Sequence, residues 1–363
     1  MPITLARSTP RRRLARIAAA ALSGVSLLAL AGCGAGSPEP SEPSTEAADI
    51  AADKGAVPAP VIPPTWPLTG VAAADIPSRP ALAVKIENDP SVRPQTGLDQ
   101  ADMVWEELVE GGVTRFVAVF HSVVPESVGP IRSVRPMDGG ITAPLHGLIA
   151  FSGGQAGFVN EVADAGVQII SMDKGAAGFA RKKGHSAPHN VFGTPTTFWG
   201  QADAEHSAAP APQFTIARTA AAASATTAGT PIANLALVFS PAFHPNWTWS
   251  AADGAFTRSE GATPSTNPAG APLTATNVVA LRVRTKDTGT VDPAGTAVLE
   301  SVMVDSGDAT VVTGGMQIAA KWSKASIAEP IVLTNAADGS VIRLAPGNTW
   351  VELVPPAGSI TAS

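Results

Sequence analysis

Cys33 is the only cysteine among 363 residues. The chain can form no internal disulfide, so whatever it folds into is held by packing, hydrogen bonds and ion pairs. The place of that thiol adds a second constraint. Cys33 closes the run Leu30-Ala31-Gly32-Cys33, which follows an apolar stretch over 17–31. Before it stand Arg7, Arg11, Arg12, Arg13 and Arg16, with no acidic residue among them. A basic region, a short apolar region and small residues ahead of a cysteine are the parts of a bacterial lipoprotein signal, and the stretch is short for a spanning helix. We read 1–32 as a signal peptide and Cys33 as the lipidation site. Burial as a small hydrophobe is the alternative for a lone cysteine. Two acyl chains hold a protein on a bilayer without a spanning helix. The expected location is therefore the cell membrane, lipid-anchored on the extracytoplasmic face. Arg11-Arg12 leaves twin-arginine export open beside the general secretory route.

Removing residues 1–32 takes away five arginines and no acids, which moves the formal net charge from −6 to −11. So acidic a chain excludes nucleic acid as a partner, because phosphate binding needs a positive surface. About 330 residues then remain, enough for two cores. Residues 33–63 are rich in Pro, Ser, Glu and Ala and offer little to bury, which predicts a disordered tether between lipid and body.

A first domain is expected over 64–204. Leu82, Val84 and Ile86 alternate with Ala83, Lys85 and Glu87, the period of a strand. Residues 103–109 and 113–121 are apolar runs around Glu110-Gly111-Gly112, which predicts a β-hairpin with glycines supplying positive φ. Leu148–Phe151 and Val167–Ser171 read as strands, with a helix between them carrying Phe158, Val159, Val162 and Ala163. Thr194-Pro195 reads as the start of another helix. Residues 205–230 are Ala-, Thr-, Ser- and Pro-rich and read as a linker or exposed loop, or as a short helix over 217–225. The remainder, 231–356, offers strand after strand: 235–239, 278–283, 297–304, 310–313, 316–322, 331–334 and 350–354, divided by turn signals such as Gly314-Gly315. Residues 357–363 are expected as a tail. The fold class is α+β: an α/β-like N-terminal domain with a mixed sheet, then a mostly antiparallel β domain.

Several of these runs resemble the DUF3048 family of lipoproteins. They are the segment from Pro80 to Asn88, Arg93 to Asp102, Glu106 to Phe116, Gly129 to Pro136, Ser152-Gly153-Gly154 and Ala187-Pro188-His189-Asn190. Thr276 to Val279, Trp322 and Leu344 to Val351 look like the family's second domain. The chain departs from the family in two ways. Trp105, Met137 and Trp249 or Phe256 stand where members often carry tyrosine, which this chain lacks altogether. The segment 261–266 has no Pro-His-x-Asp pattern, which removes that histidine as a site residue. The resemblance implies work with cell-envelope proteins or in peptidoglycan synthesis and assigns no activity.

Three constellations can carry chemistry. The densest is Glu106, Glu107 and Glu110 before the hairpin turn, Arg115 and His121 after it, and Arg132, Arg135 and Asp138 beyond. Arginines there suit a phosphate or carboxylate, and glutamates can act as bases. Mutual pairing across the hairpin is the plainer alternative. Ser152-Gly153-Gly154, between a strand and a helix, can bring N–H groups to an anion or simply make a turn. It is neither a P-loop nor a nucleophile elbow. The third run, Arg181 to Asn190, puts four basic side chains where they can face an anionic membrane or wall polymer. His189 and Asn190 are site candidates there. His185 and His189 have the spacing of a helical metal pair, but Pro188 opposes the helix, and we expect no metal and no cofactor. Trp247, Trp249, Trp322 and Trp350 are core residues or sugar-stacking platforms. The expected function is a binding or regulatory component of the cell envelope, in wall synthesis, with an envelope protein or anionic ligand as partner. The alternative is an envelope hydrolase or transferase on an anionic lipid or wall precursor, with Arg115, Arg132 and Arg135 clamping phosphate.

Overall fold

Strands buried on both faces read as near-continuous apolar runs, because neither face meets water. The computed structural model describes residues 62–363, and such strands form their centre. Cys33, the expected signal peptide and nearly all of the expected tether lie outside the described residues. In chain order the elements are β1 (Leu82–Glu87), β2 (Met103–Leu108), β3 (Thr114–Phe120), α1 (Met137–Thr142), β4 (Leu148–Phe151), α2 (Ala156–Asp164), β5 (Gln168–Ser171), β6 (Phe179–Arg181), β7 (Val191–Gly193) and α3 (Pro195–Trp199). Then follow α4 (Ser224–Ala228), β8 (Thr230–Pro231), β9 (Asn234–Val238), β10 (Pro245–Ser250), β11 (Ala255–Glu260), β12 (Thr263–Pro264), β13 (Thr274–Ala275) and β14 (Asn277–Arg282). The last are β15 (Thr285–Val291), β16 (Ala297–Ser301), β17 (Ser306–Thr313), β18 (Met316–Ser323), β19 (Val332–Asn335), β20 (Thr349–Val354) and β21 (Ser359–Ala362).

The central sheet runs β19-β18-β17-β14-β20-β2-β3-β1-β4-β5, with β8 added on β18. It is mixed: β14, β20 and β2 are parallel, as are β1, β4 and β5, while β3 runs antiparallel between β2 and β1. The β2–β3 hairpin turns at Glu110–Gly112, and Gly111 (φ 70°) and Gly112 (φ 74°) take the left-handed conformation expected of them. A second, antiparallel sheet runs β12-β11-β10-β9-β21, with β13 on β11.

Two apolar layers flank the central sheet. On one side Ala83, Trp105, Val117, Val351 and Leu353 pack with Met137 and Ile141 of α1 and Val159 and Val162 of α2. On the other, Val84, Val104, Phe116, Ala280 and Trp350 pack against Leu235, Leu237, Trp247 and Phe256 of the second sheet. The protein is thus mostly sheet with few helices.

Several expectations change. The segments 64–204 and 231–356 are not separate cores, because β20 pairs in parallel with both β14 and β2 and so joins them in one sheet. The 205–230 stretch is no free linker: Phe214, Ala217, Ala223 and Ala225 are buried, and Ala217 N–H bonds to Leu344 O at 2.8 Å. The expected tail supplies β21, whose backbone completes the edge at β9. Trp247, Trp322 and Trp350 are core, which leaves no stacking platform for sugars at those positions. Among the described residues no helix is long and apolar enough to cross a membrane.

Candidate functional site

The strand period sorts the predicted residues. Glu106 and Glu107 are neighbours in β2 and so point to opposite faces. On the helix side, Glu87, Arg115 and Glu107 form one row across β1, β3 and β2, a guanidinium between two carboxylates. Lys85, one pleat away, is fully buried and donates from Nζ to Glu107 and to Asp138 Oδ1, the latter at 2.7 Å. Asp138 Oδ2 accepts from the backbone N–H of Arg135 at 2.7 Å. The Arg135 side chain pairs with Glu110, and Arg115 Nη1 donates to Ser133 O at 2.9 Å. The cluster brings together Glu107, Glu110, Arg115, Arg135 and Asp138 in a buried layer, with Lys85, which the sequence reading left out.

Burial sets its electrostatics. Desolvation and the neighbouring Asp138 charge push the Glu107 carboxyl up to about 8, against the pull of Lys85. Desolvation, with Arg135 and Arg132 nearby, brings Arg115 down to about 10. Carboxylates and cations in this layer are spent on one another, as buried charges must be. The plainer alternative, mutual pairing, describes this interior.

The cluster reaches solvent only at its rim. Arg132 Nε lies 3.2 Å from Glu87 Oε1, and His189 Nδ1 lies 2.9 Å and 3.0 Å from the two Glu87 oxygens. The side chains of Arg132 and His189 are 21% and 33% exposed, against 6% for Glu87. Strands β6 and β7 pair antiparallel, and the chain between them carries exposed Lys182, Lys183 and His185. Asn190 closes this loop: its Oδ1 accepts from Arg181 Nη1 at 2.6 Å and its carbonyl accepts from Lys182 N–H at 2.9 Å. His185 packs beside Phe192 (ring centroids 5.3 Å apart) while His189 bonds Glu87, so the two imidazoles have different partners.

Ser152-Gly153-Gly154 lies next to this rim. Ser152 N–H bonds to Arg132 O at 3.0 Å, and Gly153 O accepts from Val134 N–H at 3.0 Å. A Cβ on Gly153 would stand 2.3 Å from Asp173 Oδ2, and one on Gly154 would stand 2.8 Å from Val134 Cγ2. Close approach accounts for both glycines, and a carboxylate already lies against the first. His121 is fully buried beside Trp66, and among the described residues neither ring nitrogen has a hydrogen-bond partner. Burial and the nearby Arg79 bring it down to about 4.

Glu106 faces the second sheet with a separate set of partners. Arg258 Nη2 donates to Glu106 Oε2 at 2.7 Å and to Glu260 Oε1 at 2.5 Å. Thr114 Oγ1 donates to Glu106 Oε1 at 2.6 Å, and Trp247 Nε1 donates to Glu352 Oε1 at 2.9 Å. Sequence reasoning missed Arg258 and Glu352. The available signal was a charge inside each of the strands Phe256-Thr257-Arg258 and Trp350-Val351-Glu352.

Residues 68–208 match the N-terminal domain, and 235–351 the C-terminal domain, of the protein of unknown function DUF3048. The chain belongs to the DUF3048 family. It is 34% identical over 128 residues to a Bacillus subtilis protein named "Putative lipoprotein YerB", a match covering 35% of this chain and 39% of that protein. The chain thus aligns with about two fifths of that curated relative. The crystal structure of YerB protein from Bacillus subtilis superposes with a TM-score of 0.68 at 22% identity, over 82% of this chain and 99% of that one. That likeness shows a shared fold. Within this DUF3048 chain, the helix-side cluster lies wholly in the first family domain, whereas the Glu106 cluster takes residues from both.

Proposed function

We propose that this chain is a lipid-anchored protein on the extracytoplasmic face of the cell membrane. Its role is to bind an anionic envelope ligand as a binding or regulatory component of wall synthesis. The observation that carries the reading is the exposed cationic rim of Arg181, Lys182 and Lys183 on the β6–β7 hairpin, beside the partly buried Arg132 and His189 that lie against Glu87. On a chain of formal charge −6, cations gathered at one place form a local attractor for anions. The paired state of the interior favours binding over catalysis, since Glu107, Glu110 and Asp138 are each committed to a cation or held neutral. The anchor is supported by the lipoprotein-type signal ending at Cys33 and by the name of the Bacillus relative. Cys33→Ser tests the anchor. The variant is expected in the soluble extracytoplasmic fraction and the parent in the membrane fraction, and an unchanged distribution would refute anchorage.

A further inference from the structure

A cavity of about 180 Å³ lies at the edge of the interface between the two sheets. It is lined by Asn88, Arg93 and Gln95 from the first family domain and by Arg258, Glu260, β12 and the following Ser265 and Thr266 from the second. Arg93 is fixed by Asn88, whose Oδ1 and backbone O accept from Nε at 3.0 Å and from Nη2 at 2.9 Å. Its Nη2 stands 3.9 Å from Glu260 Oε2, with the two side chains 23% and 8% exposed. A guanidinium and a carboxylate thus meet the cavity side by side at a separation beyond hydrogen-bond length, each with valence to spare.

Both signs face this place: Arg93 and Arg258 meet Glu106 and Glu260, and Asp89 acts on Arg93 as well. A ligand carrying both signs can therefore engage the Arg93 guanidinium and the Glu260 carboxylate at once. Among the described residues no aromatic ring lines the cavity, so they offer no stacking plane of the kind that favours a sugar. About 180 Å³ is room for a small polar ligand rather than for a single water.

We propose that this cavity binds a small zwitterionic α-amino acid, its carboxylate on Arg93 and its ammonium on Glu260. An α-amino acid carries both groups on one carbon and can therefore meet both side chains at once. Gln95 Oε1 and the hydroxyls of Thr263, Ser265 and Thr266 supply further polar contacts for the head group. This site is distinct from the basic hairpin and does not depend on it.

The test is calorimetric titration of the full chain in detergent with glycine, L-alanine, D-alanine, L-serine, L-lysine and L-glutamate. At least one is expected to bind saturably. Its N-acetyl and its carboxamide derivatives, which each lack one charge, should bind at least about tenfold more weakly. Arg93→Gln should weaken binding by a similar factor without altering the thermal midpoint by more than a few degrees. If that variant fails to fold, the blocked derivatives on the unaltered chain still decide the matter. Absence of binding by all six amino acids at about 10 mM, equal binding of the blocked derivatives, or full binding by a folded Arg93→Gln would each overturn the proposal.

Discussion

Glu106 and Glu352 stand directly opposite each other on the adjacent parallel strands β2 and β20, both fully buried. Two like charges in that position are tolerable only if one carboxyl keeps its proton. Burial raises the Glu352 pKa well above the ordinary range and Glu106 raises it further, opposed by Arg258 and Trp247. Burial alone would lower the Arg258 pKa, but the Glu106 and Glu260 carboxylates outweigh it and hold the guanidinium firmly charged. Glu352→Gln, which replaces a neutral carboxyl by a neutral amide, is expected to leave stability within about 1 kcal/mol of the parent. Glu106→Gln removes the anion that Arg258 faces and should cost about 3 kcal/mol or more. Urea unfolding of the two variants at pH 7 checks the contrast.

Glu107 gives stability a pH dependence. Its folded pKa of about 8 lies above its ordinary 4.5, so the folded state holds a proton that the unfolded chain releases. The contribution is present in full below the unfolded value and is lost as pH rises towards the folded one, at up to about 1.4 kcal/mol per pH unit. Glu107→Gln should flatten the fall in stability between pH 6.5 and 8. Denaturant midpoints measured across that range for parent and variant provide the test.

His121 acts in the opposite sense. Its folded pKa of about 4 lies below the ordinary 6.5, so protons favour the unfolded chain and stability falls as pH drops below 6.5. Among the described residues both ring nitrogens lack partners, so His121→Phe keeps the contact with Trp66 and removes two orphaned polar atoms. The variant is expected to be as stable as the parent at pH 7 or more so, and to lose less stability at pH 5. Thermal melts at the two pH values measure this.

The shared sheet predicts that the family's two domains do not fold apart. Without β20, β2 becomes an open edge, and without the second sheet Val104, Phe116 and Ala118 lose their cover. Residues 62–208 produced alone should be insoluble or lack a cooperative melt, and co-production with 209–363 should restore a soluble complex. Circular dichroism of the isolated piece, with co-purification of the pair, is the measurement.

Much of this was legible in the sequence because it is local. Gly111-Gly112 marked the hairpin, and the apolar runs at 148–151, 278–283 and 316–322 marked strands. What escaped was non-local. The run Leu82 to Glu87 reads as alternating, which marks a strand but not that all six residues are buried or that Lys85 and Glu87 join the cluster. Nothing in the local pattern reveals that α1 and α2 cover that face. Strands β10 and β11 were missed because Pro245, Asn246 and the polar residues between Phe256 and Glu260 dilute their apolar signal. β21 was missed because edge pairing to β9 rests on backbone groups, which carry no side-chain signature. The glutamates and arginines of the first cluster were found by type, but which face each one takes depended on register. One residue's step along β2 separates Glu107 from Glu106 and assigns them to different layers.

The central claim is that the cationic rim around the β6–β7 hairpin holds an anionic ligand. Its most direct test is the affinity of the full chain in detergent for poly(glycerol phosphate), compared with that of a Lys182→Glu/Lys183→Glu variant at low and physiological salt. Both lysines are exposed, so the variant should melt as the parent does. The account predicts that the parent binds, that binding weakens as salt screens the charges, and that the variant binds at least about tenfold more weakly. Equal affinity of parent and variant, or binding indifferent to salt, would contradict it.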